Sequence, residues 1–243
     1  MQGKLPLKGW AMENNKVLIL DDESSIRQFM KINLEYQGYR TCEAATGEEA
    51  IKVFEEENPA VAILDVMLPG ISGYEVCQAI REKSPKVGII MVSAKSQDID
   101  KILGLERGAD DYIIKPFNPQ ELILRVRSLM RRVNLTEAVE DKKERNSISD
   151  GPFTLDIYAK TFYKNDKEVD VTPTEFTILK NFIESKGKAM TRDEIMAQTW
   201  GENYSNDTKI VDVNIRRIRS KIEEDPAKPQ YIETVWGTGY RWK

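Results

Sequence analysis

Val61-Ala-Ile-Leu-Asp65-Val-Met67-Leu-Pro69-Gly70 is the stretch on which the fold is decided. A short apolar run ends at an aspartate and is followed by a Pro-Gly turn signal. Such a run reads as a strand buried on both faces, as in a parallel sheet. It delivers Asp65 to the carboxyl edge of the sheet, where ligands of open α/β folds sit. A lone carboxylate in that position more often only caps a turn. What the neighbouring strands bring to the same edge decides between the two.

Working outward, four further apolar runs flank this one: Val17–Leu20, Tyr39–Ala44, Val87–Val92 and Tyr112–Ile114. Amphipathic segments with helix-start chemistry lie between them. Thr46-Gly-Glu-Glu49 and Ser72-Gly-Tyr-Glu75 have the form of capping boxes, and Asn118-Pro119 places an N-cap before a first-turn proline. Gly38 falls where a glycine ends the first helix. This alternation predicts a doubly wound, five-stranded parallel sheet. Asp21-Asp22-Glu23 follow the first strand, Asp65 ends the third, Ser93-Ala94 follow the fourth and Lys115-Pro116 the fifth. Acids, a hydroxyl and a lysine therefore converge on one edge.

Clustered carboxylates repel, by roughly 4 kcal/mol per pair at ~4 Å and an effective dielectric of ~20. They need a cation or must partly protonate. Oxygen-only ligands favour a hard divalent ion, Mg²⁺ first, with Mn²⁺ as a substitute. A metal, a lysine and a hydroxyl around one carboxylate suit the stabilisation of phosphoryl oxygens. Asp65, central in the set, is the natural nucleophile for an aspartyl phosphate.

Bulk properties narrow the classes. The chain has 243 residues, enough for two modest domains, with a net charge of −4. Its pI of about 5.3 advertises neither nucleic acid nor an acidic membrane for the molecule as a whole. It contains no histidine, which excludes Ser-His or Cys-His catalysis, a His-based zinc site and a phosphohistidine relay within the sequence. Cys42 and Cys77 lack metal-ligand spacing and read as core thiols of a reducing compartment, the cytoplasm. No apolar run reaches the ~18 residues of a membrane helix. Residues 1–14 read as a leader, those before Met12 as an appended one, and residues 15–132 as the first domain.

Residues 133–149 lose apolar periodicity, are dense in charge and read as a tether. From 150 to 243 follow β-type segments around Phe153–Tyr158, Thr161–Tyr163 and Glu168–Val171. Two helices open with the capping boxes Thr172–Glu175 and Thr191–Glu194, a third runs from about Asn206 to Glu223, and a hairpin turns at Gly237-Thr-Gly239. These elements predict an α+β winged helix-turn-helix. On the third helix Val211, Ile215, Ile218 and Ile222 form a core stripe. Lys209, Val213, Arg216, Arg217 and Ser220 lie opposite, with Arg219 and Lys221 on the flanks. A basic face opposite a core stripe suits a major-groove helix. A solvated basic face is the competing reading, since residues 150–243 hold 15 Lys/Arg against 16 Asp/Glu.

Residues 16–132 resemble the receiver domain of two-component response regulators. Val211-Asp-Val-Asn-Ile-Arg-Arg-Ile-Arg and Thr234-Val-Trp-Gly-Thr-Gly-Tyr240 resemble the effector domain of the OmpR/PhoB subfamily. The resemblance implies a flavodoxin/CheY-like receiver with Asp65 as phosphoacceptor. It implies Mg²⁺ bound by Asp21, Asp22, Asp65 and the backbone carbonyl of Met67, with Ser93 and Lys115 on the phosphoryl group. Lys115-Pro116 matches the family's cis bond, and Tyr112 its switch aromatic, expected to turn inward on activation. Met67 and Lys95 occupy positions that tune phosphoryl lifetime. Lys101 with Glu121, Asp111 with Arg125 and Asp110 with Arg132 match intermolecular pairs of a symmetric receiver dimer, while Leu124 replaces a commonly small residue there. Lys209, Val213, Asn214, Arg216, Arg217, Arg219, Thr234, Trp236 and Tyr240 are the implied DNA contacts. Asn214 stands for the usual histidine, and Trp236 for an arginine that enters the minor groove. The loop Trp200–Ser205 corresponds to the segment that touches RNA polymerase.

The expectation is a non-enzymatic, phosphorylation-controlled transcriptional regulator. It takes phosphate from a sensor histidine kinase, dimerises and binds tandem promoter half-sites. A regulator that binds DNA without phosphorylation, its receiver used only for dimerisation, is the alternative. A Mg²⁺-dependent phosphatase ranks below both, because Met67 stands where such enzymes place a second acid.

Overall fold

The computed structural model describes residues 14–94, 98–134, 147–202, 204 and 207–243, the side chains of 98 and 99 excepted. Its first unit alternates strand and helix: β1 (Lys16–Leu20), α1 (Ser24–Tyr36), β2 (Arg40–Ala44), α2 (Gly47–Glu57), β3 (Val61–Asp65) and α3 (Gly73–Lys83). There follow β4 (Gly88–Ser93), α4 (Asp98–Glu106), β5 (Asp111–Ile114) and α5 (Pro119–Val133). The strands pair in parallel in the order β2-β1-β3-β4-β5.

The period of two along each strand feeds two cores. Val17, Ile19, Ile63, Ile90 and Val92 pack with Leu34, Val126 and Leu129 of α1 and α5. Leu18, Leu20, Leu64 and Met91 pack with Phe54, Val76 and Ile80 of α2 and α3. Both faces are covered, which is why the strands read as unbroken apolar runs. Ser72 and Glu75 form the full reciprocal capping box, whereas Thr46 caps α2 but Glu49 reaches back to the Ala45 N–H, at 2.7 Å.

The second unit opens with an antiparallel sheet of β6 (Ser147–Asp150), β7 (Phe153–Asp156), β8 (Thr161–Lys164) and β9 (Lys167–Val169). Helices α6 (Pro173–Glu184), α7 (Arg192–Trp200) and α8 (Lys209–Ile222) follow, with β10 (Ala189–Thr191) between the first two. The hairpin β11 (Ile232–Val235) and β12 (Gly239–Trp242) closes the chain and pairs with β10 through β12. Its core centres on Phe153, whose ring lies 5.5 Å from Phe162 and 5.2 Å from Trp242. One boundary differs from the sequence reading, and one strand was absent from it. The sheet begins at Ser147, inside the stretch taken as tether, because Ser147-Ile-Ser-Asp offers one apolar residue to signal it. Strand β10 has three residues, too few to show a period.

The two units dock. Helix α4 lies along α8, and α5 against α6 and α7. Leu105 belongs to the apolar core of the second unit, with Ile102 packed on it. Ser128 Oγ donates to the Trp200 carbonyl at 2.7 Å, Tyr204 Oη to Asp111 Oδ1 at 2.6 Å and the Thr174 N–H to Asp110 Oδ1 at 3.1 Å. The Arg125 guanidinium lies 4.7 Å from the Tyr204 ring centroid, and that of Arg132 5.5 Å from Trp200.

Candidate functional site

In the order β2-β1-β3-β4-β5 the winding reverses between β1 and β3, so the loops beyond these strands diverge and leave a crevice. Asp21 and Asp22 enter it from the end of β1, and Asp65 from the end of β3. Carboxylate oxygens of the three lie within 4.8 Å of one another. Asp21 is fully buried, Asp65 is 4% exposed and Asp22 opens to solvent. Lys115, beyond β5 and before a cis Pro116, places its Nζ 2.7 Å from Asp21 Oδ2 and 2.7 Å from Asp65 Oδ2. The Met67 N–H donates to Asp65 Oδ1 at 3.0 Å, and the Glu23 N–H to Asp21 Oδ1 at 3.0 Å.

Burial raises the Asp21 pKa and outweighs its bond to Lys115. Burial also works against the Lys115 ammonium, but hydrogen bonds to Asp21 and Asp65 overcome it and raise that pKa. One ammonium thus faces three clustered acids. The cluster is an oxygen-only donor set with one exposed member through which an ion can enter, and it is compatible with a hard divalent cation.

Gly73, the first residue of α3, lets this helix press on the acidic loop. A Cβ there would lie 1.9 Å from the Asp65 carbonyl oxygen. Ser93, at the end of β4, is fully buried. The Tyr112 hydroxyl hydrogen-bonds with Ser93 and Tyr74, and its ring packs beside Gly104 of α4. Tyr112 is already inward, 2% exposed, so the sequence expectation of an inward turn on activation does not describe a change from this conformation. Lys95 lies outside the described residues.

The face expected to pair with a second copy is occupied by the chain itself. Asp110, Asp111, Arg125 and Arg132 are buried. Asp111 pairs with Arg125 at 3.0 Å, and Arg125 with Glu121 at 2.6 Å. Asp110 pairs with Arg81 at 3.0 Å rather than with Arg132, which donates to Thr174 Oγ1 at 2.9 Å. Lys101 borders a small cavity between α4 and α8, together with Asp207 and Lys209. Leu124 remains exposed.

On α8 the core stripe Val211, Ile215, Ile218 and Ile222 is buried. The opposite face is partly covered by the receiver, with Lys209, Arg216 and Ser220 still exposed. Val213 is 7% exposed, Arg216 pairs with Glu106 of α4, and Arg217 Nη1 donates to the carbonyls of Leu105 and Ala109 at 3.0 and 3.1 Å. Asn214 is fully buried, its amide donating to the Ile210 carbonyl at 2.8 Å. Arg219 bonds the Ile232 carbonyl and, at 3.0 Å, Thr234 Oγ1 at the root of the hairpin. Tyr240 is buried beside it, with its hydroxyl 2.8 Å from Asp212. Asn214 and Tyr240 thus pack within the unit, whereas Trp236 projects from the hairpin turn at 91% exposure. In the loop expected to meet polymerase, Trp200 and Tyr204 pack on the first unit, and residues 203 and 205 lie outside the described residues.

Sequence reasoning missed the partners at the seam: Arg81, Leu105, Glu106, Thr174, Trp200 and Tyr204. The usable signals were Ile102 and Leu105 on α4, surplus to its own core, and two aromatics in the α7–α8 loop. It also read Glu175 only as a capping residue. The side chain is fully buried between Arg217 at 2.9 Å and Lys221 at 2.6 Å.

Among the described residues no helix is long and apolar enough to cross a membrane. Residues 17–127 match the response regulator receiver domain, and residues 166–242 the transcriptional regulatory protein C-terminal domain. The probable transcriptional regulator ycf27 of Porphyridium aerugineum is 42% identical over 94% of this chain and 96% of its own. The alkaline phosphatase synthesis transcriptional regulatory protein PhoP of Bacillus subtilis is 40% identical with the same coverage. The structure of DrrB, an OmpR/PhoB homolog from Thermotoga maritima, is similar over 95% of this chain and 99% of its own, with 33% identity and a TM-score of 0.50. A RitR mutant shares the fold over 95% of this chain and 99% of its own, at 23% identity and a TM-score of 0.73. The chain belongs to the OmpR/PhoB response regulators, transcription factors in which a receiver domain controls a winged-helix DNA-binding domain.

Proposed function

We propose that Asp65 is the phosphoacceptor and that its phosphorylation undocks the two domains, freeing at once the recognition helix and the face used for dimerisation. The observation that carries this reading is the crevice in which Asp65 meets Asp21, Asp22 and Lys115. Asp21, Asp22 and Asp65, with the Met67 carbonyl, would hold Mg²⁺ or Mn²⁺. Bound there, the ion supplies charge neutralisation for the phosphoryl oxygens. Asp65 Oδ2 attacks the donor phosphorus as the donor bond breaks, and Lys115 follows the incoming oxygens. The donor is a sensor kinase's phosphohistidine or a small phosphodonor, since the chain has no histidine of its own.

A phosphoryl group adds about −1.5 to −2 charges. It draws the Ser93 hydroxyl away from Tyr112. Tyr112 packs beside Gly104, and α4 carries Leu105 and Glu106 against α8, so a shift in this ring is felt at the seam. Undocking exposes Asp111, Glu121 and Arg125 together with Lys101, Asp110 and Arg132 for pairing with a second copy. It also uncovers Val213 and releases Arg216 and Arg217 from the receiver for DNA, beside the already exposed Lys209, with Arg219, Thr234 and Trp236 at the wing. Two effector domains then bind tandem half-sites about 10 bp apart. Trp200 and Tyr204, leaving the receiver, become available to RNA polymerase. The protein acts in the cytoplasm without enzymatic turnover beyond slow loss of its own phosphoryl group.

Incubation with acetyl phosphate and Mg²⁺, followed by intact mass, tests the site. One phosphoryl adduct is expected on the wild type and none on Asp65→Asn. An unmodified wild type, or a modified variant, rejects Asp65 and favours a receiver that only dimerises.

A further inference from the structure

The loop that joins β1 to α1 carries two of the three clustered acids, and its main chain is pinned from the helix behind it. Glu23 stands at the N-cap of α1 but makes no side-chain cap hydrogen bond. The Asp21 carboxylate is engaged by the Glu23 N–H and by Lys115. Arg27, at the end of the first turn of α1, reaches back to the same loop. Its Nη1 donates to the Asp21 carbonyl at 2.6 Å and lies 3.5 Å from the Asp22 carbonyl. Its Nε faces Glu43 of β2 at 3.6 Å, and Glu43 is held in turn by Lys31 at 2.6 Å. Among the described residues, Arg27 pairs with Glu43 and not with the clustered acids.

Charge alone would make Arg27 a liability here. A guanidinium beside a cation site repels the cation, which the pairing with Glu43 only lessens. The geometry acts in the opposite sense. The peptide unit is planar, so a carbonyl held by a charged donor fixes the whole plane between Asp21 and Asp22. That plane sets the directions in which the two adjacent carboxylates leave the chain. Mg²⁺ demands near-ideal octahedral geometry, whereas Ca²⁺ accepts irregular sites. A loop kept in one conformation therefore matters most to the smaller ion.

We propose that Arg27 is a positioning residue for the metal. By holding the Asp21 carbonyl it presents Asp21 and Asp22 as Mg²⁺ requires, and it sets the preference of the crevice for Mg²⁺ over Ca²⁺. The assignment rests on the crevice taking a divalent cation, as proposed above. Arg27 acts through the main chain of the loop, so its role is separable from that of Asp65 as phosphoacceptor.

Calorimetric titration of the full chain with MgCl₂ and, separately, with CaCl₂ tests this at constant ionic strength. The wild type should bind about one Mg²⁺ saturably, and Asp65→Asn should weaken that binding, which locates the ion in the crevice. Arg27→Gln should weaken Mg²⁺ binding by about tenfold or more, the effect usual for groups that orient metal-binding carboxylates. Its Ca²⁺ affinity should fall by no more than about threefold, since that ion tolerates a looser loop. A role through charge alone predicts the opposite sign, tighter binding of both ions. Arg27→Lys keeps the charge and one donor for the carbonyl but loses the planar fork. It should bind Mg²⁺ with an affinity between the other two and Ca²⁺ as the wild type does, and it decides the matter if Arg27→Gln does not fold. Unchanged or tighter Mg²⁺ binding in the folded variants, or equal losses for both ions, overturns this proposal alone. A wild type that binds no Mg²⁺, or undiminished binding by Asp65→Asn, overturns it together with the metal assignment of the crevice.

Discussion

Arg217 of the recognition helix donates its Nη1 to the main-chain carbonyl of Leu105 in the receiver, 3.0 Å away. A side chain suited to phosphate or base is thereby spent on the partner domain. The same seam covers Asp111 and Arg125, so one docked arrangement withholds residues from both the proposed DNA face and the proposed dimer face.

The docked state should yield to a change that touches neither DNA nor the phosphoacceptor. Tyr204→Phe removes the 2.6 Å hydrogen bond to buried Asp111 while Arg125 still neutralises that acid. A hydrogen bond to a charged group contributes about 1.5 kcal/mol or more, and 1.4 kcal/mol is a factor of about ten. If only the open chain binds DNA, affinity rises with the open fraction. Fluorescence anisotropy with random duplex DNA at low salt should show roughly tenfold tighter binding by the unphosphorylated variant. Unchanged affinity would mean the seam does not hold α8 back.

Gly73→Ala should act on the phosphoacceptor through its backbone. A Cβ would meet the Asp65 carbonyl at 1.9 Å, and neither backbone can yield without moving the acidic loop. A loss of about 2–3 kcal/mol in chemical denaturation is expected, within the usual range for overpacking. Phosphoryl uptake should fall further than the folded fraction does.

Glu175 links stability to pH. Burial alone would raise its pKa, but Arg217 and Lys221 outweigh burial and hold it below the usual 4.5. The folded chain therefore binds this proton less readily than the unfolded chain. The stabilisation is present above the ordinary carboxylate range and is lost as pH falls through the lowered folded value. Glu175→Gln should cost about 2–3 kcal/mol at neutral pH, less than a fully sealed pair because Lys221 reaches solvent. Urea melts of both proteins should converge as pH falls below 4.5.

Trp236 stands free at the wing tip, at 91% exposure. Trp236→Ala should leave the unfolding free energy within the ~0.5 kcal/mol typical of surface changes. Its loss should weaken DNA binding roughly fivefold, the equivalent of about 1 kcal/mol for one hydrogen bond to phosphate. An unchanged affinity would place the wing away from the duplex.

The receiver was legible because its signals are local. A buried parallel strand shows as an apolar run, its terminal residue lands on a known edge, and Ser72–Glu75 or Thr191–Glu194 mark helix starts within four residues. The acidic crevice followed from that placement alone. The docking of the domains was not legible, because it depends on which of several amphipathic faces meet. Val213 sits among basic residues and reads as exposed, yet it is buried in the cluster that Leu105 of α4 joins. Asp111 and Arg125 read as groups awaiting a second copy, and in the chain they pair with each other through Asp111 Oδ1, which also accepts from Tyr204. Asn214 and Tyr240 lie where DNA contacts were expected, yet pack inside the effector domain.

Hydrogen exchange on the full chain, before and after acetyl phosphate and Mg²⁺, tests the central claim most directly. The account predicts faster exchange in the α4–β5 connection, residues 107–110, and in the described part of the α7–α8 loop once Asp65 is modified. Asp65→Asn should show no change under the same treatment. A wild type that carries the phosphoryl group by intact mass and exchanges at the seam as slowly as before would contradict it.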